Sequence, residues 1–111
     1  MGYKIIPTPH FKSQAKRLIK KFPSLKDELS GLVDLLSANP SSGTSIGNNI
    51  YKIRLSVKSK GKGKSGGMRI ITFTINRNEE VYLLTIYDKS EIASIDDKDI
   101  KFIIRQLTDN R

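Results

Sequence analysis

Lys52 and Arg54 stand two apart in a run where Tyr51, Ile53, Leu55 and Val57 alternate with Lys52, Arg54, Ser56 and Lys58. On a strand, residues two apart lie about 7 Å from each other on one face, so the lysine and the arginine point together. That separation suits two successive phosphates of a nucleic-acid strand, or the two sides of one scissile linkage. A solvated strand protected by its charges explains this segment equally well on its own. Arg69 opens a second β-prone run in phase with Ile71, Phe73 and Ile75, which turns its guanidinium towards an apolar side. Either a bulge after Gly66 and Gly67 re-aims it, or it sits at the sheet end with its head in a cleft, and both devices are common near active sites. The ordinary alternative is an arginine that snorkels to water. Tyr87 ends a third run beside Lys89, where a phenol can stack on a base, donate a hydrogen bond, or simply be half core.

Between the first two runs lie Lys58, Lys60, Lys62 and Lys64, interleaved with glycine and serine. Gly63-Lys64-Ser65 matches only the tail of a phosphate loop: the position five before Gly63 is Lys58 where glycine is required, and the segment joins two strands. A flexible basic hairpin that grips an RNA backbone by charge fits better. The wider balance agrees, with a net charge of +9 and no acidic residue between Asp34 and Glu79. A field of that sign favours a polyanion or an acidic protein as partner.

Other chemistries lack their parts. The chain has no cysteine, which excludes disulfides, thiolate nucleophiles and cysteine-based zinc sites and suits a cytosolic, cytoplasmic protein. His10 is the single histidine, placed in the first turn of a helix without serine-hydrolase or zinc partners. Asp88, Glu91, Asp96, Asp97 and Asp99 cluster without a metal-ligand pattern; the first two are candidates to bridge Lys89 or receive a basic segment. No metal or cofactor is therefore expected. Neither a secretory signal nor an apolar run of membrane-spanning length is present, so no membrane role is expected either.

The elements that must position these residues follow from periodicity. With 111 residues and 37% hydrophobic content, the chain reads as a single domain, 1–111, with one modest core. Residues 3–6 form a short strand ended by Pro7 and Pro9; Thr8 then caps a helix that carries Phe11, Ala15, Leu18, Ile19 and Phe22. Pro23 stops it. Ser24 and Asp27 resemble a capping box for a second helix with Leu25, Leu29, Leu32, Val33 and Leu36 in one stripe. Residues 41–49 read as a loop, and 50–58, 68–75 and 81–87 as strands, the last apolar on both faces and therefore central. A final helix, capped by Ser94 or Asp96, carries Ile100, Ile103, Ile104 and Leu107. The expected order is β-α-α-β-β-β-α, an α+β domain with two N-terminal helices packed on a mainly antiparallel sheet.

Three segments carry a family resemblance: residues 49–55, NIYKIRL; 67–71, GMRII; and 83–89, LLTIYDK. Together, in this order, they resemble the RelE/ParE toxin superfamily over nearly the whole chain, and the long basic insertion at 58–67 resembles its HigB-like branch. The resemblance implies a toxin of a type II toxin–antitoxin system that cuts mRNA in the ribosomal A site, without metal, through attack of a ribose 2′-OH on the adjacent phosphate. Carried onto this chain it implies Lys52 as base, Arg54 where RelE has a second lysine, and Arg69 as the stabiliser of the phosphorane-like transition state. A lysine serves as a base only where its neighbours disfavour the charged form, which a second cation does. Where RelE has an arginine after the third strand this chain has Ser90, and Lys89 and Tyr87 are the candidates to substitute for it at the leaving group. The implied partners are a helix-turn-helix, HigA-like antitoxin, the ribosome and mRNA; ParE-like gyrase inhibition and a non-catalytic RNA- or antitoxin-binding module remain the alternatives.

Overall fold

A computed structural model describes residues 2–60, 67–92 and 94–109 of the chain. The first strand, β1 (Lys4–Pro7), leads into α1 (Pro9–Lys21). Thr8 caps α1 as expected, its Oγ1 accepting from Phe11 N at 3.1 Å. The same hydroxyl donates towards the carbonyls of Leu83 and Leu84, at 3.0 and 3.2 Å, and so ties the helix start to a central strand. Thr8→Ala is expected to cost about 1–2 kcal/mol, because a cap and a buried hydrogen bond go together. A urea midpoint equal to that of the parent would contradict this.

The second helix, α2 (Leu25–Ala38), follows after Pro23. Its capping box is not formed: Ser24 has helical backbone angles and makes no side-chain cap bond. Its hydroxyl serves a tertiary contact, accepting from Ser59 N at 2.9 Å and lying 2.7 Å from Ser59 Oγ. The α2 stripe is also narrower than expected, since Leu25, Leu32 and Leu36 are buried while Val33 stays exposed.

Among the described residues five strands form one mixed sheet in the order β1, β5 (Glu80–Asp88), β4 (Met68–Ile75), β3 (Ile50–Leu55), β2 (Thr44–Ser45). The added strand is β2 (Thr44–Ser45), two residues of the expected loop that pair with β3 (Ile50–Leu55). Then come β4 (Met68–Ile75) and β5 (Glu80–Asp88), linked as an antiparallel meander with β3. A parallel pairing sets β1 along β5, Ile6 opposite Tyr82. Apolar on both faces, β5 does lie inside the sheet. Strand β3 is shorter than read from alternation, because residues Lys58–Lys60 turn into a 3-10 helix whose Lys58 N donates to Glu28 Oε2 at 2.8 Å.

The sheet buries both faces. One packs Ile53, Ile70, Leu83 and Ile86 against Leu18, Leu25 and Leu36 of the helical hairpin. The other packs Ile71, Tyr82, Leu84 and Tyr87 against Ile100 and Ile103 of the last helix, α3 (Asp97–Asp109). The sheet is thus sandwiched, α1 and α2 on one side and α3 on the other.

Candidate functional site

Antiparallel register settles where the three cations go, which the separate strands could not. Arg54 of β3 stands opposite Arg69 of β4, and Arg69 stands opposite Tyr87 of β5. Directly paired residues share a face, with Cα atoms about 5 Å apart, so Arg54, Arg69 and Tyr87 form a row across three strands. Lys52 lies on the same face one pair further along β3, opposite Ile71. This is the face that α3 covers, so the "basic" face of β3 and the "apolar" side of Arg69 are the same side, seen from different strands.

The exposures grade inwards. Arg54 is exposed, Lys52 half-buried, and Arg69 only 6% exposed. Arg69 keeps phase with Ile71 as expected; the sheet's irregularity lies not after Gly67 but between Ile71 and Thr72. Its Nη1 donates to the Met68 carbonyl at 3.3 Å, and no acidic partner holds it among the described residues. Two like charges directly opposite across strands repel. A buried guanidinium facing another arginine without a carboxylate is a site that an anion would relieve. Gly67 keeps the approach narrow, since a β-carbon there would stand 2.7 Å from the Leu55 carbonyl oxygen and 3.7 Å from Arg69 Nη1.

Tyr87 is 4% exposed, and its hydroxyl is buried without a hydrogen-bond partner among the described residues. Burial pushes the phenol's pKa up, with the positive charge of Arg69 pulling the other way. A buried unpaired hydroxyl costs stability that phenylalanine would not, so Tyr87→Phe is expected to raise stability by about 1 kcal/mol. Equilibrium denaturation checks this, and a lower midpoint would mean that the hydroxyl has a stabilising partner. A recess of about 380 Å³ adjoins the row through Tyr87, walled by His10, Thr85, Asp99 and Phe102. His10 Nε2 lies 3.1 Å from Thr85 Oγ1 there, a satisfied polar contact.

The basic segment behaves differently from expectation at Lys60. Its Nζ is bonded to both carboxylate oxygens of Asp88, at 2.9 and 2.8 Å, and lies 4.7 Å from the centroid of the Phe22 ring. Only 11% of its side chain is exposed, so this lysine is engaged internally with Asp88, where the sequence reading has it open to an RNA backbone. Lys58 is exposed; Lys62 and Lys64 fall outside the described residues. Lys89 is half-buried, its N–H reaching Gly67 O at 3.4 Å. Asp88 pairs with Lys60 instead of Lys89, and Glu91 instead receives Arg17 and Lys21, each at 3.4 Å. Ser90 donates from N and Oγ to Asp88 Oδ1, at 2.9 and 2.8 Å, and so belongs to the Asp88 cage.

Desolvation raises the Asp88 pKa, but hydrogen bonds from Lys60 and Ser90 outweigh it and hold the carboxyl below its usual 3.8. A carboxyl whose folded pKa is depressed adds stability above its unfolded pKa and loses it as pH falls through the folded value. Stability should therefore fall with acid below about pH 4 more steeply in the parent than in Asp88→Asn. Parallel acid titrations of the two by circular dichroism would contradict this.

Among the described residues the site is a cationic row with no acidic partner on the sheet of a small α+β domain, an arrangement with the chemistry to hold an anion. A family model described as the RelE toxin of the RelE/RelB toxin–antitoxin system matches residues 10–109, and the chain belongs to that family of toxins. Its fold is similar to that of an arginine-to-alanine double mutant of E. coli toxin RelE in the free state, with a TM-score of 0.58 and 14% identity. That match covers 96% of this chain and 98% of the other.

Proposed function

We propose that this toxin is a ribosome-dependent mRNA endonuclease of the HigB-like branch, held silent by a cognate antitoxin of the HigA-like, helix-turn-helix kind. The observation that carries the reading is the convergence of Lys52, Arg54 and Arg69 on one face, with Arg69 buried and free of any acidic partner among the described residues. RNA supplies the missing anion. Substrate on translating ribosomes also puts the protein in the cytoplasm.

In this mechanism Lys52 accepts the proton of a ribose 2′-OH, whose oxygen attacks the adjacent phosphorus. The P–O5′ bond breaks, leaving a cyclic phosphate and a 5′-hydroxyl. Arg69 and Arg54 face the extra negative charge of the five-coordinate state, where fixed donors in a water-poor site act most strongly. The leaving oxygen takes its proton from Tyr87 or Lys89. A phenol kept protonated by burial is suited to that role. The ribosome would supply alignment of the 2′-OH, a contribution these cations cannot make alone.

The test is induced expression in a bacterial host with mapping of mRNA ends. Cuts inside translated frames that end in cyclic phosphate, and that disappear in Lys52→Ala, are expected. Growth arrest with intact messages would refute cleavage.

A further inference from the structure

Asp88 takes no part in the cationic row, yet it is the most completely enclosed charge in the described chain, 1% exposed. It follows Tyr87 on β5, so its side chain leaves the strand on the opposite face, the face of the helical hairpin. There Lys60 engages both carboxylate oxygens, Ser90 donates twice to Oδ1, and Phe22 of the hairpin flanks the ammonium. The turn that carries Lys60 is itself fastened to α2, through Glu28 to Lys58 N and through Ser24 to Ser59. The last pairs of the β4–β5 ladder are Arg69 with Tyr87 and Met68 with Asp88. β5 ends at Asp88, past which the ladder has one long backbone bond, Lys89 N to Gly67 O at 3.4 Å, so this ion pair reinforces a strand end that the backbone holds only weakly to β4.

We propose that Asp88 and Lys60 are a positioning pair: by anchoring the end of β5 to the hairpin side, they hold Tyr87 against Arg69 on the opposite face. The pair touches no substrate. It acts through the strand, and for its catalytic consequence it rests on the nuclease reading above. The arrangement also explains a lysine that the basic segment withholds from its surface: a buried ammonium bonded to a buried carboxylate with two further donors is a fixed point, whereas an exposed pair at that distance is not.

The test uses the full chain with tyrosine labelled at Cζ, and Tyr87→Phe assigns the Tyr87 resonance. Its titration is followed by carbon NMR in the parent, in Asp88→Asn and in the double variant Lys60→Met with Asp88→Asn. The double variant removes both charges and leaves neither buried alone. Single-turnover cleavage on programmed ribosomes is measured beside it. The expected result is a folded double variant whose Tyr87 midpoint falls from its raised value towards the ordinary ~10, because release of the strand end rehydrates the phenol, the larger influence, and this outweighs the loss of the Arg69 charge. Cleavage should slow by roughly tenfold, with KM within about twofold of the parent, since substrate contacts are kept. An unmoved Tyr87 midpoint in folded variants overturns the proposal whatever happens to the rate. If the parent itself cuts no message, the nuclease reading falls, and the Tyr87 titration alone decides whether the pair positions this residue.

Discussion

Arg69→Ala is expected, on the proposed nuclease reading, to lower cleavage of ribosome-bound mRNA by about 10²–10³-fold, the usual loss when one charge-stabilising donor is removed from a preorganised site. The size follows from its surroundings: Arg69 is 6% exposed, while Arg54 is solvated and can offer less. Arg69→Lys should recover only part of the rate, since an ammonium cannot reproduce the planar fork of a guanidinium. Removing a buried, unpaired charge from a position opposite another arginine should also leave the fold intact or steadier. A folded Arg69→Ala protein that still cuts at the parent's rate would remove Arg69 from the reaction and favour a binding role for the row.

Lys60→Met should destabilise the domain by about 3–5 kcal/mol, because it leaves the Asp88 carboxylate buried without its ammonium. For a domain of this size that is a drop of many degrees in Tm. Adding Asp88→Asn to Lys60→Met should return most of the loss, as neutral groups of similar shape replace both charges. Thermal unfolding of the two variants side by side decides this: equal Tm values would mean that the stranded carboxylate is not the source of the penalty.

Periodicity exposed much of this fold and less of its site. Thr8 with Pro9 announced α1, the stripe of Ile100 and Ile103 announced α3, and the two-faced apolar run of 81–87 announced the inner strand, because each is a local signal. Strand β2 was silent, two exposed residues that pair only because β3 lies beside them. Ser24 misled for a related reason: its sequence neighbours suggest a helix cap, while a partner 35 residues away claims the hydroxyl. At the site, the residue types of Lys52, Arg54 and Arg69 were readable, but their meeting was a matter of register. Arg69 in particular read as an arginine pointing to the wrong side until β3 and β4 were paired. Lys60 carried no sign of its fate, since nothing in an alternating Lys/Gly segment distinguishes the lysine that finds Asp88 from those beside it.

The parallel pairing of β1 with β5 has a consequence for how the chain is made. Lys4 emerges early in synthesis, but its partner Glu80 and the strand that holds it are translated roughly 4–15 s later at ~5–20 residues per second. Until then the newborn hairpin of α1 and α2 lacks Val81, Leu83 and Ile86 of β5 to cover Leu18, Leu25 and Leu36, and the arginine row has no third strand to complete it. Contacts this distant in sequence are slow to form, because loop closure must precede the burial that rewards it. The same ordering means that the row is assembled last, after the period in which the chain exposes most of its apolar surface.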